Sequence, residues 1–236
     1  MRRAAFVLAA VFATCVATPA LARHSGFSKD SNKTSSDPSR HRGGASDDVP
    51  GAYDYYLMAL SWSPTYCETH VDDDEQCTHK GYGFVLHGLW PQYDNGGGPQ
   101  RCASDAEVDR KTVDATLAFM PSRRLINHEW GAHGTCSGMT PAEYFATADR
   151  AFAAVQAPSE LKAPKRDLTM TSDQLRSAFR RANPGLADNM MNLHCSKGEL
   201  VEVRVCLDKN LSPRACGKRM RNACPAQATF TIPASQ

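Results

Sequence analysis

Beyond its first 22 residues the sequence has no apolar run long enough to span a bilayer, which excludes a spanning anchor in that remainder. It has no Cys-x-x-Cys pair, so its cysteines do not read as a zinc cluster. It has no heptad pattern and no internal repeat, so nothing calls for a partner chain and a monomer is expected. Positive charge is not in surplus either. Of 27 Lys and Arg, Arg2 and Arg3 fall at the very start, and the 25 that remain face 25 Asp and Glu. A protein that holds nucleic acid by diffuse phosphate attraction is usually strongly basic. Any nucleic-acid chemistry here has to rest on a local site, where protonated histidines would add charge at mildly acidic pH.

What is present begins with a secretory signal over residues 1–22. Arg2 and Arg3 form a basic start, Ala4 to Val16 is apolar, and Ala20-Leu21-Ala22 is a small-x-small cleavage site. A periplasmic or secreted protein, with no membrane association after cleavage, is therefore expected. Cys15, preceded by Thr14, is a poor lipid-attachment site. Setting it aside from the nine cysteines leaves eight: Cys67, Cys77, Cys102, Cys136, Cys195, Cys206, Cys216 and Cys224. An even number in an exported domain argues for four disulfides, although spacing alone does not decide the pairs. Residues 23–50 are rich in Ser, Asp, Arg, Lys and Gly and read as a disordered polar leader, with His24 and His41 solvated in it. Residues 51–236 read as one domain.

Within that domain Tyr53–Trp62 reads as a buried strand stopped by Pro64. Cys67 to Cys77 encloses the acidic run Asp72-Asp73-Asp74-Glu75, which lacks the spacing and glycine of a calcium loop. Tyr82–Leu86 is a second strand candidate ending at His87, and Asp94–Pro99 is a loop. Helical periodicity runs over Asp105–Met120 and over Arg123–Thr135. Thr140 with Glu143, and Thr171 with Gln174, form capping boxes that start helices to about Gln156 and Ala182. Asn189–His194 and Glu199–Leu207 read as strands around a turn at Lys197-Gly198, and Thr229–Ile232 as a last strand. Strands, then helices, then strands argue for an α+β domain.

The chemistry concentrates in Asn127-His128-Glu129-Trp130-Gly131-Ala132-His133-Gly134-Thr135-Cys136 and in Phe84-Val85-Leu86-His87-Gly88-Leu89-Trp90-Pro91-Gln92. His128-Glu129 begins like a zinc-protease helix, but that motif needs histidines four apart. Here the spacing is five, about 140° around a helix axis. Glu129 and His133 are four apart and share a helical face. Histidines and a carboxylate without a metal suit acid–base work on RNA, whose own 2′-hydroxyl attacks the adjacent phosphorus. One group must take that proton, another must protonate the departing 5′-oxygen, and histidine is the residue that titrates in this range unperturbed. Taken singly, each histidine is as well explained as an ordinary core or surface residue, and Trp90 and Trp130 as core aromatics.

The two segments, in this order and separation, resemble the active-site segments of the ribonuclease T2 family of secreted, acid-type, base-non-specific endoribonucleases. Leu60-Ser61-Trp62-Ser63-Pro64-Thr65-Tyr66-Cys67 and Glu199–Leu207 add to the likeness, which covers roughly residues 53 to 232 and looks closest to bacterial periplasmic members. The resemblance implies a central antiparallel sheet flanked by helices and stapled by disulfides, an RNA substrate, and no cofactor or metal. It implies His87 as general acid, His133 as general base, Glu129 as a carboxylate assisting at the phosphate or orienting a histidine, and His128 as a phosphate ligand. It implies Trp90 as a base-stacking aromatic and Gln92 as a polar base contact. It also implies the disulfides Cys67–Cys77, Cys102–Cys136, Cys195–Cys224 and Cys206–Cys216. In one respect the chain departs from the pattern: many members carry Lys before the last histidine, where this chain has Ala132. Lys80 and Arg124 are the candidate replacements. A weak or inactive RNA-binding or inhibitory member, and a metal-dependent hydrolase, are the competing readings.

Overall fold

A computed structural model describes residues 49–103 and 107–235. The expected signal and nearly all of the polar leader, with Cys15, His24 and His41, lie outside the described residues. Among those described, no helix is long and apolar enough to cross a membrane.

Tyr55–Trp62 forms strand β1, and the chain turns at once into the one-turn helix α1, Ser63–Cys67, with Pro64 in its first turn where no N–H is needed. Strand β2, Phe84–Gln92, follows. It was expected to end at His87, yet it continues for five more residues. Pro91 is tolerated because β2 is an edge strand, paired only with β1. Its other edge is met by a backbone bond in which the Leu86 N–H donates to the Phe119 carbonyl at 2.9 Å.

Helix α2 is Arg110–Thr116, shorter than the expected Asp105–Met120. Asp109 caps it by accepting from the Thr112 N–H, and after Thr116 the chain turns to bring the Phe119 carbonyl to β2. Helix α3, Arg123–Ala132, is capped by Ser122 and stops three residues before the expected Thr135. His133 leaves the helical backbone at φ −129°, ψ −43°, and Gly134–Cys136 form a 3₁₀ turn. Gly134 is required there: a Cβ would stand 2.4 Å from the Trp130 ring.

Both capping boxes form, at the starts of α4, Pro141–Ala154, and α5, Ser172–Ala182. Between them lies the short strand β3, Leu168–Met170. Strands β4, Met191–Ser196, and β5, Glu199–Leu207, make a hairpin whose two turn residues, Lys197 and Gly198, have φ of 51° and 84°. That matches a turn whose twist suits the flanking strands. Strand β6, Phe230–Ile232, closes the sheet.

The sheet runs β2-β1-β5-β6-β3, with β4 on the other edge of β5. All pairings are antiparallel except one parallel contact, Glu199 with Thr231, between β5 and β6. The central antiparallel sheet flanked by helices that the resemblance implies is present, with one parallel contact added. Only hairpin-joined strands must run antiparallel, and β6 returns after a long excursion. Four disulfides join Cys67–Cys77, Cys102–Cys136, Cys195–Cys224 and Cys206–Cys216.

Side chains alternate across the sheet. Tyr56, Met58, Leu60 and Trp62 of β1, with Leu86, Leu89, Val203 and Val205, join the main core together with Ile126, Tyr144, Leu175 and Phe179 from the helices. The opposite face carries Leu57, Ala59 and Ser61 of β1, aligned with Trp90, Gly88 and Val85 of β2 and with Cys206, Arg204 and Glu202 of β5. That second face holds the candidate site.

Candidate active site

Following the core residue Leu86, alternation turns His87 to the second face. The β1–β2 register then shifts: Ala59 pairs with Gly88 and Leu60 with Leu86, so His87 is the extra residue of a β-bulge. The bulge lets Gly88 share the second face with the imidazole and returns Leu89 to the core. The floor under it is small, built of Gly88, Ala59 and Ser61. Over that floor His87 reaches across β1 to β5, where its Nδ1 donates to Glu202 Oε1 at 2.5 Å. Glu202 is buried and also accepts from Arg204 Nε at 2.6 Å. Arg204 in turn lies over the Trp90 ring, 5.3 Å from its centroid.

Helix α3 delivers the second carboxylate–histidine contact. Glu129 is 1% exposed; its Oε1 stands 3.7 Å from His87 Nε2, and its Oε2 accepts from Trp90 Nε1 at 2.6 Å. A closed circuit results: Arg204, Glu202, His87, Glu129, Trp90, and back to Arg204. Trp90 also stands between the two histidines, its ring centroid 5.2 Å from that of His87 and 5.4 Å from that of His133. His133 keeps its backbone N–H on the Glu129 carbonyl at 3.0 Å although its own backbone is no longer helical. The Cys102–Cys136 bridge fixes the turn after it, and the Arg101 N–H donates to the Ala132 carbonyl at 3.0 Å.

The two histidines are poised in opposite senses. Burial works against charge on His87, but the hydrogen bond and charge of Glu202, then the charge of Glu129, outweigh it and raise its pKa above the ordinary histidine value. Burial drives His133 down to about 4, helped by the charges of His128, His87 and Arg101. Its Nδ1 is buried without a hydrogen-bond partner, so a second ring proton there would have no acceptor. Burial also pushes Glu129 up to about 7, against the pull of His87 and the Trp90 hydrogen bond. Glu202, despite its burial, is held down at about 2 by His87 and Arg204.

Of the residues singled out in the sequence, His87, Glu129, His133 and Trp90 come together, and the exposed His128 is close enough on α3 for its charge to act on His133. Gln92 does not join them: its amide donates to the neighbouring Pro91 carbonyl and lies against Gly98. Glu202, Arg204 and Arg101 were not foreseen. The arginine charges felt at the histidines come from Arg204 and Arg101, in the place expected of Lys80 or Arg124, whereas Arg124 acts on Tyr66. Among the described residues no group of three or more His, Cys, Asp or Glu could hold a metal ion.

Residues 53–216, more than half of the chain, match the model of the ribonuclease T2 family. The chain belongs to the ribonuclease T2 family. Among its relatives in that family are a ribonuclease of Aeromonas hydrophila, 38% identical over 134 residues that cover 57% of this chain and 56% of the relative, and a probable ribonuclease of Haemophilus influenzae, 30% identical over 178 residues covering 69% and 61%. The chain thus spans less than two thirds of the length of these two relatives. An RNase-related protein from Calystegia sepium shares the T2 fold at TM-score 0.63 and 23% identity, over 78% of this chain and 98% of that one. Japanese pear S3-RNase does so at TM-score 0.58 and 22% identity, over 77% and 100%.

Gly88 tests this geometry. A Cβ there would stand 2.1 Å from Glu129 Oε2 and 2.2 Å from Trp90 Nε1. Gly88→Ala is expected to keep the far-UV circular dichroism, change the near-UV tryptophan bands, and cost about 1–3 kcal/mol in urea unfolding by overpacking. Unchanged near-UV bands and stability would contradict the packing described.

Proposed function

We propose that the protein is a metal-independent endoribonuclease that cleaves single-stranded RNA with little base preference, leaving 2′,3′-cyclic phosphate ends. The observation that carries this reading is the opposite poise of the two histidines: His87 bears two carboxylates, while His133 bears none and has an unpartnered ring nitrogen. At mildly acidic to neutral pH, His133 is neutral and takes the proton of the 2′-hydroxyl as it attacks phosphorus. His87 is protonated and gives its Nε2 proton to the departing 5′-oxygen. The bond from phosphorus to the 5′-oxygen breaks as the bond to the 2′-oxygen forms. Two histidines in complementary states are what general acid–base catalysis needs near its working pH. DNA lacks the internal nucleophile and is not cut.

Glu129, with its pKa near 7, is largely uncharged in acid and does not repel the phosphate. In that state its carboxyl donates a hydrogen bond to a phosphoryl oxygen. His128, exposed beside it, adds a phosphate contact. Trp90 offers an aromatic surface to the base on the 5′ side of the scissile bond, a contact worth about 1–3 kcal/mol. Gln92 is the polar group assigned to that base, and reaching it requires the amide to leave Pro91. A cleft of about 110 Å³ bordered by Ser61, Tyr66, Gln76, Val85 and Leu125 opens beside His87. Because the leaving 5′-oxygen is protonated at His87, that cleft takes the leaving nucleotide. The four disulfides suit an oxidising compartment, so we place the monomeric protein in the periplasm or outside the cell after removal of a signal at about residue 22.

Digestion of single-stranded RNA should proceed in EDTA and leave 2′,3′-cyclic phosphate ends. His87→Ala and His133→Ala should each lower the rate by about 10²–10⁴-fold, the scale of one missing acid or base. Undiminished cutting in both folded variants would refute the assignment. Ala132 leaves the phosphorane short of a cation that Arg101, tied to it by the backbone, supplies from a more exposed position. Ala132→Lys is expected to raise kcat/KM on RNA by on the order of tenfold, a fraction of what one oxyanion-hole group contributes. An unchanged or lower rate in the folded variant would contradict this.

A further inference from the structure

The charges of the domain are balanced, yet one exposed turn is not. Lys218, Arg219 and Arg221 are exposed, and among the described residues none makes an ion pair with a carboxylate. The neighbouring cations are already committed. Arg214 pairs with Asp94 at 2.7 Å and lies over the Tyr55 ring, and Lys209 lies over Tyr53. Three unpaired cations thus stand within four residues of the chain.

That turn is held in place. Cys216 before it is bonded to Cys206 of β5, and Cys224 after it to Cys195 of β4. The Lys218 N–H donates to the Asp94 carbonyl at 3.0 Å, and the Gly217 N–H to the Tyr55 hydroxyl at 3.3 Å. The aliphatic stem of Arg219 crosses Gly96, leaving no room there for a Cβ. Met220, between the cations, packs against the small cluster of Tyr55, Leu57 and Cys206, the same cluster that supports Trp90. The ridge is thus continuous with the face that carries the histidines.

We propose that Lys218, Arg219 and Arg221 form a cationic ridge that holds the phosphate backbone of single-stranded RNA beyond the nucleotide at Trp90. This rests on the ribonuclease reading and extends it to the substrate's length. A rigidly held row of unpaired cations attracts a flexible polyanion chiefly through counterion release, without reading its sequence. The ridge therefore favours long RNA over a dinucleotide, which ends before reaching it.

The test is the combined variant Lys218→Gln, Arg219→Gln, Arg221→Gln in the full chain. Its KM on a long single-stranded RNA should rise by about tenfold at low salt, with kcat/KM on a dinucleoside monophosphate unchanged. Binding is read separately with a single-stranded 2′-deoxy oligonucleotide, which is not cut. The slope of log Kd against log salt should flatten by about 0.7 for each phosphate that no longer meets a cation. Unchanged KM and salt slope would overturn the ridge, as would an equal effect on the dinucleotide. Binding to anionic vesicles that disappears while oligonucleotide binding stays intact would assign the turn to a lipid surface and overturn it too. A wild-type protein that binds the oligonucleotide with the expected slope but cuts neither RNA would instead count against the ribonuclease reading alone.

Discussion

The hydrogen bond between His87 and Glu202 is the constraint on which the site depends. It joins strands that are not neighbours, across the width of β1. Three local features make it possible. The bulge sets Gly88 beside His87 on the second face, the floor of Gly88, Ala59 and Ser61 leaves room over the sheet, and Arg204 shares Glu202 so that a buried carboxylate is doubly paired. An unpaired carboxylate at that depth would be strongly disfavoured. The pairing therefore stabilises the fold and fixes the imidazole in one stroke, leaving Nε2 on the side of Glu129.

The rest of the electrostatics follows from that bond. His87 is held as a cation chiefly by the hydrogen bond and charge of Glu202, with Glu129 adding to them where it is ionised. His133 is neutral because it is buried near positive charge and has no acceptor for a second ring proton. Trp90 separates the two rings, and its indole N–H ties Glu129 into the same circuit. Two residues of one type thus acquire opposite proton affinities from their surroundings, the pattern by which a site sorts an acid from a base.

Much of this frame was legible in the sequence, because its signals are local. The capping boxes at Thr140 and Thr171 and the turn at Lys197-Gly198 are short-range chemistry, and the helices and hairpin form where those residues placed them. His87, Glu129, His133 and Trp90 stood out as two compact motifs. What was not legible depends on distant partners. The bulge at His87 has no local marker, so β2 read as stopping there. Helix α2 ends early because Phe119 is needed at the edge of β2. Glu202 and Arg204 alternate with valines in β5, the pattern of a solvated strand face. Nothing in that alternation tells that His87 and Trp90 cover them.

The central claim is that the protein holds His87 protonated and His133 neutral in the same pH range. Titration of the two imidazole rings by NMR, with resonances assigned through His87→Ala and His133→Ala, measures it directly. The account predicts that His133 titrates near pH 4 and His87 above the ordinary histidine value of about 6.5. Both rings titrating together near 6.5, or His133 above His87, would contradict it.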